Sequence, residues 1–284
     1  MKELQVLVAT MHQTDQTITE RMNIRCDAVI ANQAHEESVT RWPVDGGMAE
    51  MITTCTRGVG INRNIALLAA DADILLFADD DMVYYDGTLE GVKEAFRSKP
   101  EADVIIFSVD IMRGGEITER RYLNGDRLHL WNALKYGTYA IGVRRDAVRR
   151  ANIFFTLLFG GGARYGAGED SLFIRDCFRK GLRVWSSKYV LGTCCKDTSS
   201  WFVGYNDKFF FDKGALYGCA FPRMKRLVSG YFALKYARKT QVPVGKIYRL
   251  MLDGMCAFQK GKSFAAYYQR EMSRNEGVGN HGKH

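Results

Sequence analysis

The stretch Ile74-Leu75-Leu76-Phe77-Ala78-Asp79-Asp80-Asp81 decides the fold. Five apolar residues in a row indicate a strand that is buried on both faces, which is typical of a parallel sheet covered by helices. Three acidic residues follow directly, at the carboxyl end of that strand. Because ligands of open α/β sheets bind beyond the carboxyl ends of the strands, the stretch predicts a sheet and also the edge where a ligand binds.

Short apolar runs alternate with amphipathic segments on both sides of this strand, as in βαβ units. Further strands are predicted at Leu4–Ala9, Ala28–Ala31, Val104–Val109 and Tyr139–Val143, helices from near Asn62 and over Ser171–Lys180, and a loop or edge hairpin at Arg113–Arg127. Gly181 is expected to end the second of these helices. The predicted fold class is α/β, with a Rossmann-type, mostly parallel central sheet flanked by helices.

The chain has 284 residues and 46% apolar residues, enough for a substantial core. We expect one large domain at residues 1–220 and a basic helical extension at 221–284. The extension has 13 Lys and Arg against 3 Asp and Glu, whereas the net charge of the whole chain is +8. Such a segment can attract nucleic acid, anionic lipid or a phosphorylated substrate, and charge alone does not choose among them.

Several classes of protein are disfavoured by what the sequence lacks. The apolar runs are far shorter than the ~20 residues that span a bilayer, and the first ten residues do not form a secretory signal. Seven cysteines without a CxxC pair indicate reduced thiols and no zinc knuckle. We therefore expect a cytoplasmic protein. Neither a GxGxxG fingerprint nor a P-loop occurs, which argues against a dinucleotide oxidoreductase and a P-loop ATPase.

The acidic triplet has two interpretations. Three adjacent carboxylates repel one another, and a cation or solvent must relieve that repulsion. Oxygen ligands suit Mg²⁺ or Mn²⁺, which can also bridge to a diphosphate. The alternative is a solvated acidic turn. A second candidate, Gly58–Asn64, opens a predicted helix whose free N–H groups can face an anion, with Arg63 either beside that anion or on the surface.

These features together resemble a known family. The resemblance rests on Val6–Thr10, Gly58–Asn64, Leu75–Asp81 and Gly168-Glu169-Asp170, and it covers roughly residues 1–215. The sequence is similar to the family 2 glycosyltransferases of the GT-A fold, and most similar to bacterial enzymes that build capsule, exopolysaccharide and cell-surface glycans. The resemblance implies that a sugar is transferred, with inversion, from a nucleoside-diphosphate-sugar donor to the hydroxyl of a glycan or lipid-linked acceptor. A UDP-sugar is the favoured donor.

The resemblance also implies roles for individual residues. Residues 1–110 would be the nucleotide-binding half and 111–220 the acceptor-binding half. Asp79 and Asp81 would hold Mn²⁺ or Mg²⁺, and Asp80 would contact the ribose or sugar. Asp170, with Glu169, would be the base that takes the acceptor proton, although an Asp there can also simply cap a helix. The remaining candidates are Thr10, Met11, His12, Asn32, Gln33 and Arg63 for the donor, and Trp201 and Ser200 for the acceptor.

Three points stay open. Many relatives carry a histidine as a third metal ligand, but here the segment reads Thr193-Cys194-Cys195-Lys196-Asp197, so Asp197 or Cys195 would have to assist. The activity could instead be that of a sugar nucleotidyltransferase, or the chain could be a noncatalytic glycan-binding protein. The basic extension is compatible with peripheral contact to an anionic membrane, with an oligomer contact, or with a solvated helical face; no nucleic-acid motif is present.

Overall fold

The computed structural model describes residues 2–121, 123–195 and 204–269. The strands are β1 (Leu4–Met11), β2 (Ala28–Gln33), β3 (Ser38–Val44), β4 (Gly47–Thr54), β5 (Ile74–Asp79), β6 (Met82–Tyr84), β7 (Val104–Arg113), β8 (Glu116–Arg121), β9 (Ile141–Arg144) and β10 (Val184–Cys195). The helices are α1 (Ile18–Arg21), α2 (Val59–Ala69), α3 (Thr88–Arg97), α4 (Leu130–Ala133), α5 (Arg145–Arg150), α6 (Glu169–Arg179), α7 (Asp207–Ala220), α8 (Lys225–Lys239) and α9 (Val244–Gln259), with a 3-10 turn at Thr138–Ala140.

The described strands form one sheet in the order β3-β4-β2-β1-β5-β9-β7-β10-β6, with β8 paired to β7. The pairings give β4, β2, β1, β5, β7 and β10 a common direction. The short strand β9 lies between β5 and β7 and runs antiparallel to both. The predicted α/β fold with a mostly parallel sheet is confirmed.

Sequence patterns explain the elements that carry the candidate residues. The β5 residues Ile74–Ala78 are all buried, as the uninterrupted apolar run predicts. Helix α3 buries Leu89, Val92 and Phe96, whose spacing places them on one helical face. Helix α2 begins at Val59, three residues before the predicted start, and α6 begins at Glu169, two residues before its predicted start.

One predicted strand differs from the structure: Tyr139–Val143 is a 3-10 turn at Thr138–Ala140 followed by β9. The prediction of a loop or edge hairpin at Arg113–Arg127 is confirmed as a hairpin, since β8 pairs antiparallel with β7. The hairpin of β3 and β4 was not predicted, because most of β3 is exposed and lacks a continuous apolar run.

The chain divides into two compact units. The first comprises Met1–Leu157 and Glu169–Ser199, and the second comprises Leu158–Gly168 and Ser200–His284, as far as these ranges are described. The second unit includes α7, α8 and α9. The sequence prediction places the start of the extension at residue 221, after α7. The predicted domain boundary stays a prediction.

In the second unit, α7 and α9 pack at close range. A side chain on Gly254 would put its Cβ 1.9 Å from the backbone oxygen of Phe211, so this contact requires glycine. The carboxylate of Asp212 on α7 accepts hydrogen bonds from the Gly166 backbone N–H at 2.8 Å and from Lys208. The bond from Gly166 fastens the 158–168 segment to α7, and the bond from Lys208 lies within α7. No helix in the described part of the chain is long and apolar enough to cross a bilayer.

Candidate active site

The parallel pairing brings the predicted residues to one edge of the sheet. Thr10 on β1 is in register with Asn32 on β2, and Ala9 is in register with Asp79 on β5. The carboxyl ends of three neighbouring strands therefore meet there, at the position where open α/β sheets bind ligands.

The end of β1 is tied to the acidic triplet and to α2. The Thr10 hydroxyl donates to Asp80 Oδ2 at 2.6 Å, and the Thr10 backbone oxygen accepts from Asn62 Nδ2 at 3.0 Å. If Gly60, the second residue of α2, carried a Cβ, that atom would lie 2.2 Å from the backbone oxygen of Thr156 and clash with it. Gly60 thus lets α2 lie close to residue 156 while its first turn faces the sheet edge.

Arg63 on α2 is the centre of a cluster of three carboxylates. Its NH2 donates to Asp79 Oδ1 at 2.7 Å, and its NH1 donates to Glu169 Oε1 and to Asp170 Oδ1, each at 3.0 Å. The Arg63 side chain is only 5% exposed. Burial opposes its charge, but the neighbouring carboxylates outweigh burial and raise the pKa of Arg63. The predicted metal site and the predicted base are therefore linked through one fixed cation.

An apolar layer lies beneath this cluster. The rings of Phe155 and Phe173 stack with centroids 4.2 Å apart, and Phe77 meets both edge-on. The Arg63 guanidinium lies 5.5 Å from the centroid of the Phe155 ring. Because water is excluded on this side, the hydrogen bonds of Arg63 to carboxylates are stronger than they would be at the surface.

Asp170 is held through one of its two oxygens. Arg63 NH1 and the Thr138 hydroxyl both donate to Oδ1, and the Asp170 side chain keeps 28% of its surface exposed. Both bonds end on Oδ1, so Oδ2 is the oxygen that remains to take a proton. Glu169 and Asp170 open α6, which matches the predicted pair at a helix start.

The environment of Asp170 raises its pKa to about 7. Burial is the largest cause, and the negative charges of Glu169 and Asp79 add to it, while Arg63 and the Thr138 hydrogen bond act in the opposite direction. A carboxylate with a pKa near neutral is a better proton acceptor than an ordinary Asp and is still half ionised at pH 7. The geometry and the pKa of Asp170 thus suit a general base.

The three carboxylates of the triplet have different neighbours. Asp79 binds Arg63, Asp80 binds Thr10, and Asp81 Oδ1 lies 3.4 Å from Cys194 Sγ. The Cys195 backbone N–H donates to the Asp81 backbone oxygen at 2.9 Å, which holds the segment after β5 against β10. Among the described side chains, no three from His, Cys, Asp and Glu converge as metal ligands.

The donor set at this position nevertheless fits a hard cation. Arg63 binds only Oδ1 of Asp79, and Asp79 and Asp81 are both half-buried beside the sheet edge. Carboxylate oxygens of two residues, completed by waters or phosphate oxygens, are the usual protein contribution to a Mg²⁺ site. Cys195 contributes a backbone contact here, and Asp197 lies outside the described residues.

The predicted nucleoside-binding residues lie at the expected edge, but two of them are engaged within the protein. The Asn32 amide donates to Gln13 O at 2.9 Å and to Thr53 Oγ1 at 3.1 Å, and its Oδ1 accepts from Gln13 N–H at 3.0 Å. Gln33 Nε2 donates to Gly58 O at 3.0 Å. These amides fix the backbone around the site, and their contact with a donor stays a prediction.

Met11 and His12 are exposed at the end of β1. His12 has a φ of 56°, in the left-handed region that non-glycine residues rarely adopt. Its ring centroid lies 5.6 Å from that of His35. The predicted acceptor residues Ser200 and Trp201 lie outside the described residues.

Sequence reasoning missed three contributors: Thr138, Asn62 and Phe155. Thr138 is fully buried and reaches Asp170 from the 3-10 turn. Asn62 lies in the predicted Gly58–Asn64 segment, but no local pattern gives the role of any of the three, because each acts on a residue that is far away in sequence. Asn62 and Thr10 are 52 positions apart, and Thr138 and Asp170 are 32 apart.

Comparisons with known proteins concern the family and the fold of the chain. Residues 30–156 match the family model described as glycosyl transferase family 2. No curated protein matches the chain. Among solved structures, S. aureus TarS 1–349 in complex with UDP-GlcNAc is similar, with a TM-score of 0.58 and 14% identity over 92% of this chain and 93% of that chain.

Two other TarS structures are also similar. The complex of S. aureus TarS 1–349 with UDP has a TM-score of 0.57 and 12% identity, over 92% of this chain and 93% of that one. A longer S. aureus TarS structure has a TM-score of 0.54 and 16% identity, over 76% of this chain and 39% of that one. At such identities the likeness concerns the fold. With the family match over residues 30–156, it confirms the resemblance to the family 2 glycosyltransferases of the GT-A fold that was stated from the sequence.

Proposed function

We propose that the protein transfers a sugar from a nucleoside-diphosphate-sugar donor to an acceptor hydroxyl, with inversion at the anomeric carbon. The observation that carries this proposal is the double anchoring of Asp170 Oδ1 by Arg63 and Thr138, which leaves Oδ2 to accept the acceptor proton. In an inverting transfer the base deprotonates the attacking hydroxyl as the diphosphate departs from the opposite face of the sugar.

Arg63 has a supporting role in this proposal. Its two terminal nitrogens bind the carboxylates of Asp79, Glu169 and Asp170 on the face of the apolar layer. It therefore fixes the base relative to the triplet, and it offsets the repulsion among three carboxylates that would otherwise push them apart. The direct contact between Arg63 and a diphosphate that the sequence suggested stays a prediction.

The proposal includes a divalent cation, Mn²⁺ or Mg²⁺, at the triplet. Asp79 and Asp81 would hold it through their carboxylate oxygens, with Asp80 toward the donor. The bound cation would neutralise negative charge that develops on the leaving diphosphate. The Thr10 hydroxyl orients Asp80 through its 2.6 Å hydrogen bond, and β10 holds the backbone of Asp81.

A UDP-sugar is the favoured donor. Support comes from the TarS structures, which contain UDP-GlcNAc or UDP on a similar fold. The acceptor in this proposal is a glycan or a lipid-linked molecule of surface polysaccharide synthesis. The protein would then act in the cytoplasm, with the basic extension bringing it to an anionic membrane surface.

One experiment separates this proposal from its rivals. Purified protein is incubated with UDP-, GDP-, CDP- and dTDP-sugars and Mn²⁺, and release of the nucleoside diphosphate is measured with and without acceptor glycans. Sugar transfer or slow donor hydrolysis supports the proposal. Formation of a nucleotide sugar from a sugar phosphate and a nucleoside triphosphate would instead identify a nucleotidyltransferase. Glycan binding without turnover of any donor would identify a noncatalytic protein.

A further inference from the structure

Helix α8 carries three large apolar side chains on its solvent side. Leu227, Tyr231 and Leu234 are 73%, 63% and 55% exposed. Their spacing of four and three residues places them on one face of the helix. The opposite face is packed, since Ser229 and Ala233 are fully buried. The stripe of Leu227, Tyr231 and Leu234 is therefore a feature of a folded helix with a fixed orientation.

The sequence on both sides of the stripe is basic. Between Asp212 and Asp253 the sequence contains nine Lys and Arg residues and no Asp or Glu. Arg226 and Arg238 are exposed on α8, and Arg223 is exposed just before it. At 3.6 residues per turn Arg238 falls within the stripe and Arg226 beside it. An apolar stripe bordered by Lys and Arg is the pattern of a helix that lies in a membrane interface.

We propose that this face of α8 binds an anionic lipid surface, with Leu227, Tyr231 and Leu234 entering the headgroup region and the arginines contacting lipid phosphates. A 15-residue helix is about 22 Å long, and only its outer face is available, so α8 would lie along the membrane plane. The membrane contact itself is part of the proposed function; assigning it to one face of one helix can fail while sugar transfer stands.

Charge favours a lipid surface over a second copy of the chain. A twofold interface places the same patch on both partners, which would oppose the arginines of one copy to those of the other. Nucleic acid could bind the arginines through its phosphates, but its charged backbone offers no apolar environment for the three side chains of the stripe. An anionic bilayer satisfies both the charges and the stripe.

The test is co-sedimentation of the full chain with vesicles of phosphatidylcholine alone or of phosphatidylcholine with phosphatidylglycerol. We expect binding only to the anionic vesicles, and release at about 0.5 M salt, where the Debye length is about 4 Å. The variant Leu227→Ser/Tyr231→Ser/Leu234→Ser is expected to bind at least about tenfold more weakly. The variant Arg223→Gln/Arg226→Gln/Arg238→Gln is expected to lose about 100-fold.

Matched controls come from the first unit. Val39→Ser/Leu68→Ser removes exposed apolar side chains, and Arg149→Gln/Arg150→Gln removes exposed charges; neither pair of changes should weaken binding. Thermal unfolding of each variant checks that it folds, and transfer to a water-soluble acceptor should be unchanged in the stripe variant. Three results would overturn the proposal: no binding to anionic vesicles, binding that survives both α8 variants, or loss of a dimer in the stripe variant without vesicle binding.

Discussion

Arg63 and Asp170 are 107 residues apart in sequence, yet Arg63 NH1 lies 3.0 Å from Asp170 Oδ1. The same guanidinium binds Asp79 at 2.7 Å, so the first helix after the β-hairpin joins the triplet at the end of β5 to the start of α6. The three carboxylates depend on this buried cation. Without it, each would remain charged in a site that disfavours charge.

The first prediction concerns the proposed base. Asp170→Asn keeps the size and the hydrogen-bond acceptor toward Arg63 and Thr138, but an amide cannot take a proton. We expect kcat for sugar transfer to fall at least about 100-fold, the usual loss when a general base is removed. Steady-state kinetics with saturating donor measure this. Asp176→Asn, a change at a half-buried position on the same helix, is the control and should retain activity.

The second prediction is a pH profile set by Asp170. Its pKa is raised to about 7, and a base acts only when it is deprotonated. The rate of transfer should therefore rise with pH through a midpoint at about pH 7 and level off about one pH unit above it. Thr138→Val removes a hydrogen bond that lowers the pKa, so the midpoint should move to higher pH, whereas Thr138→Ser should keep it. A variant with reduced kcat and an unmoved midpoint would mean that Thr138 only packs there.

The third prediction concerns stability. Arg63→Gln leaves Asp79, Glu169 and Asp170 without their shared cation, and we expect the free energy of unfolding to drop by about 3–5 kcal/mol. Urea unfolding followed by circular dichroism measures the change. Arg97→Gln serves as the control, since Arg97 forms an exposed ion pair with Glu3. Loss of that pair should lower the free energy of unfolding by less than about 1 kcal/mol. Equal effects of the two changes would contradict the central role of Arg63.

The fourth prediction concerns the cation. Activity should stop when EDTA removes divalent ions and return with Mn²⁺. Asp81→Asn should raise the Mn²⁺ concentration for half-maximal activity by about tenfold or more, because one charged ligand is lost. The control is Asp86→Asn, which lies beyond β6 and should leave the Mn²⁺ concentration for half-maximal activity unchanged. Full activity in EDTA, with metal content checked by mass spectrometry, would exclude a metal-dependent mechanism.

Part of this architecture could be predicted from the sequence. The strand ending at Asp79 was recognised because five apolar residues in a row have few alternatives in an α/β protein, and the pair Glu169-Asp170 fell at a helix start as expected. Both signals are local. These two signals also predict the edge of the sheet at which the site lies, since parallel strands bring their carboxyl ends together.

The remainder depends on contacts that no local pattern encodes. A lone threonine in Gly137-Thr138-Tyr139-Ala140 has no periodicity, and its role arises only when the 3-10 turn is placed beside α6. Arg63 looked like a helix-start residue facing an anion, because its three partners lie 16, 106 and 107 residues away. The antiparallel insertion of β9 was likewise invisible, since four residues carry no sign of strand direction.

The last prediction tests the packing of the second unit. Gly254→Ala on α9 would put a Cβ 1.9 Å from the backbone oxygen of Phe211 on α7, and backbone cannot move aside as a side chain does. We expect the free energy of unfolding to fall by about 3 kcal/mol, the upper range for overpacked cores.

Gly245→Ala on the same helix is the matched control, because a Cβ there meets no atom within 4 Å. Alanine is the better helix former by up to about 1 kcal/mol, so this change should leave stability unchanged or raise it. Differential scanning calorimetry of the two variants compares them directly. Since the two substitutions are chemically identical, opposite effects on stability can come only from what surrounds each Cβ. A Gly254→Ala protein as stable as Gly245→Ala would mean that the backbones of α7 and α9 are not in direct contact at Gly254.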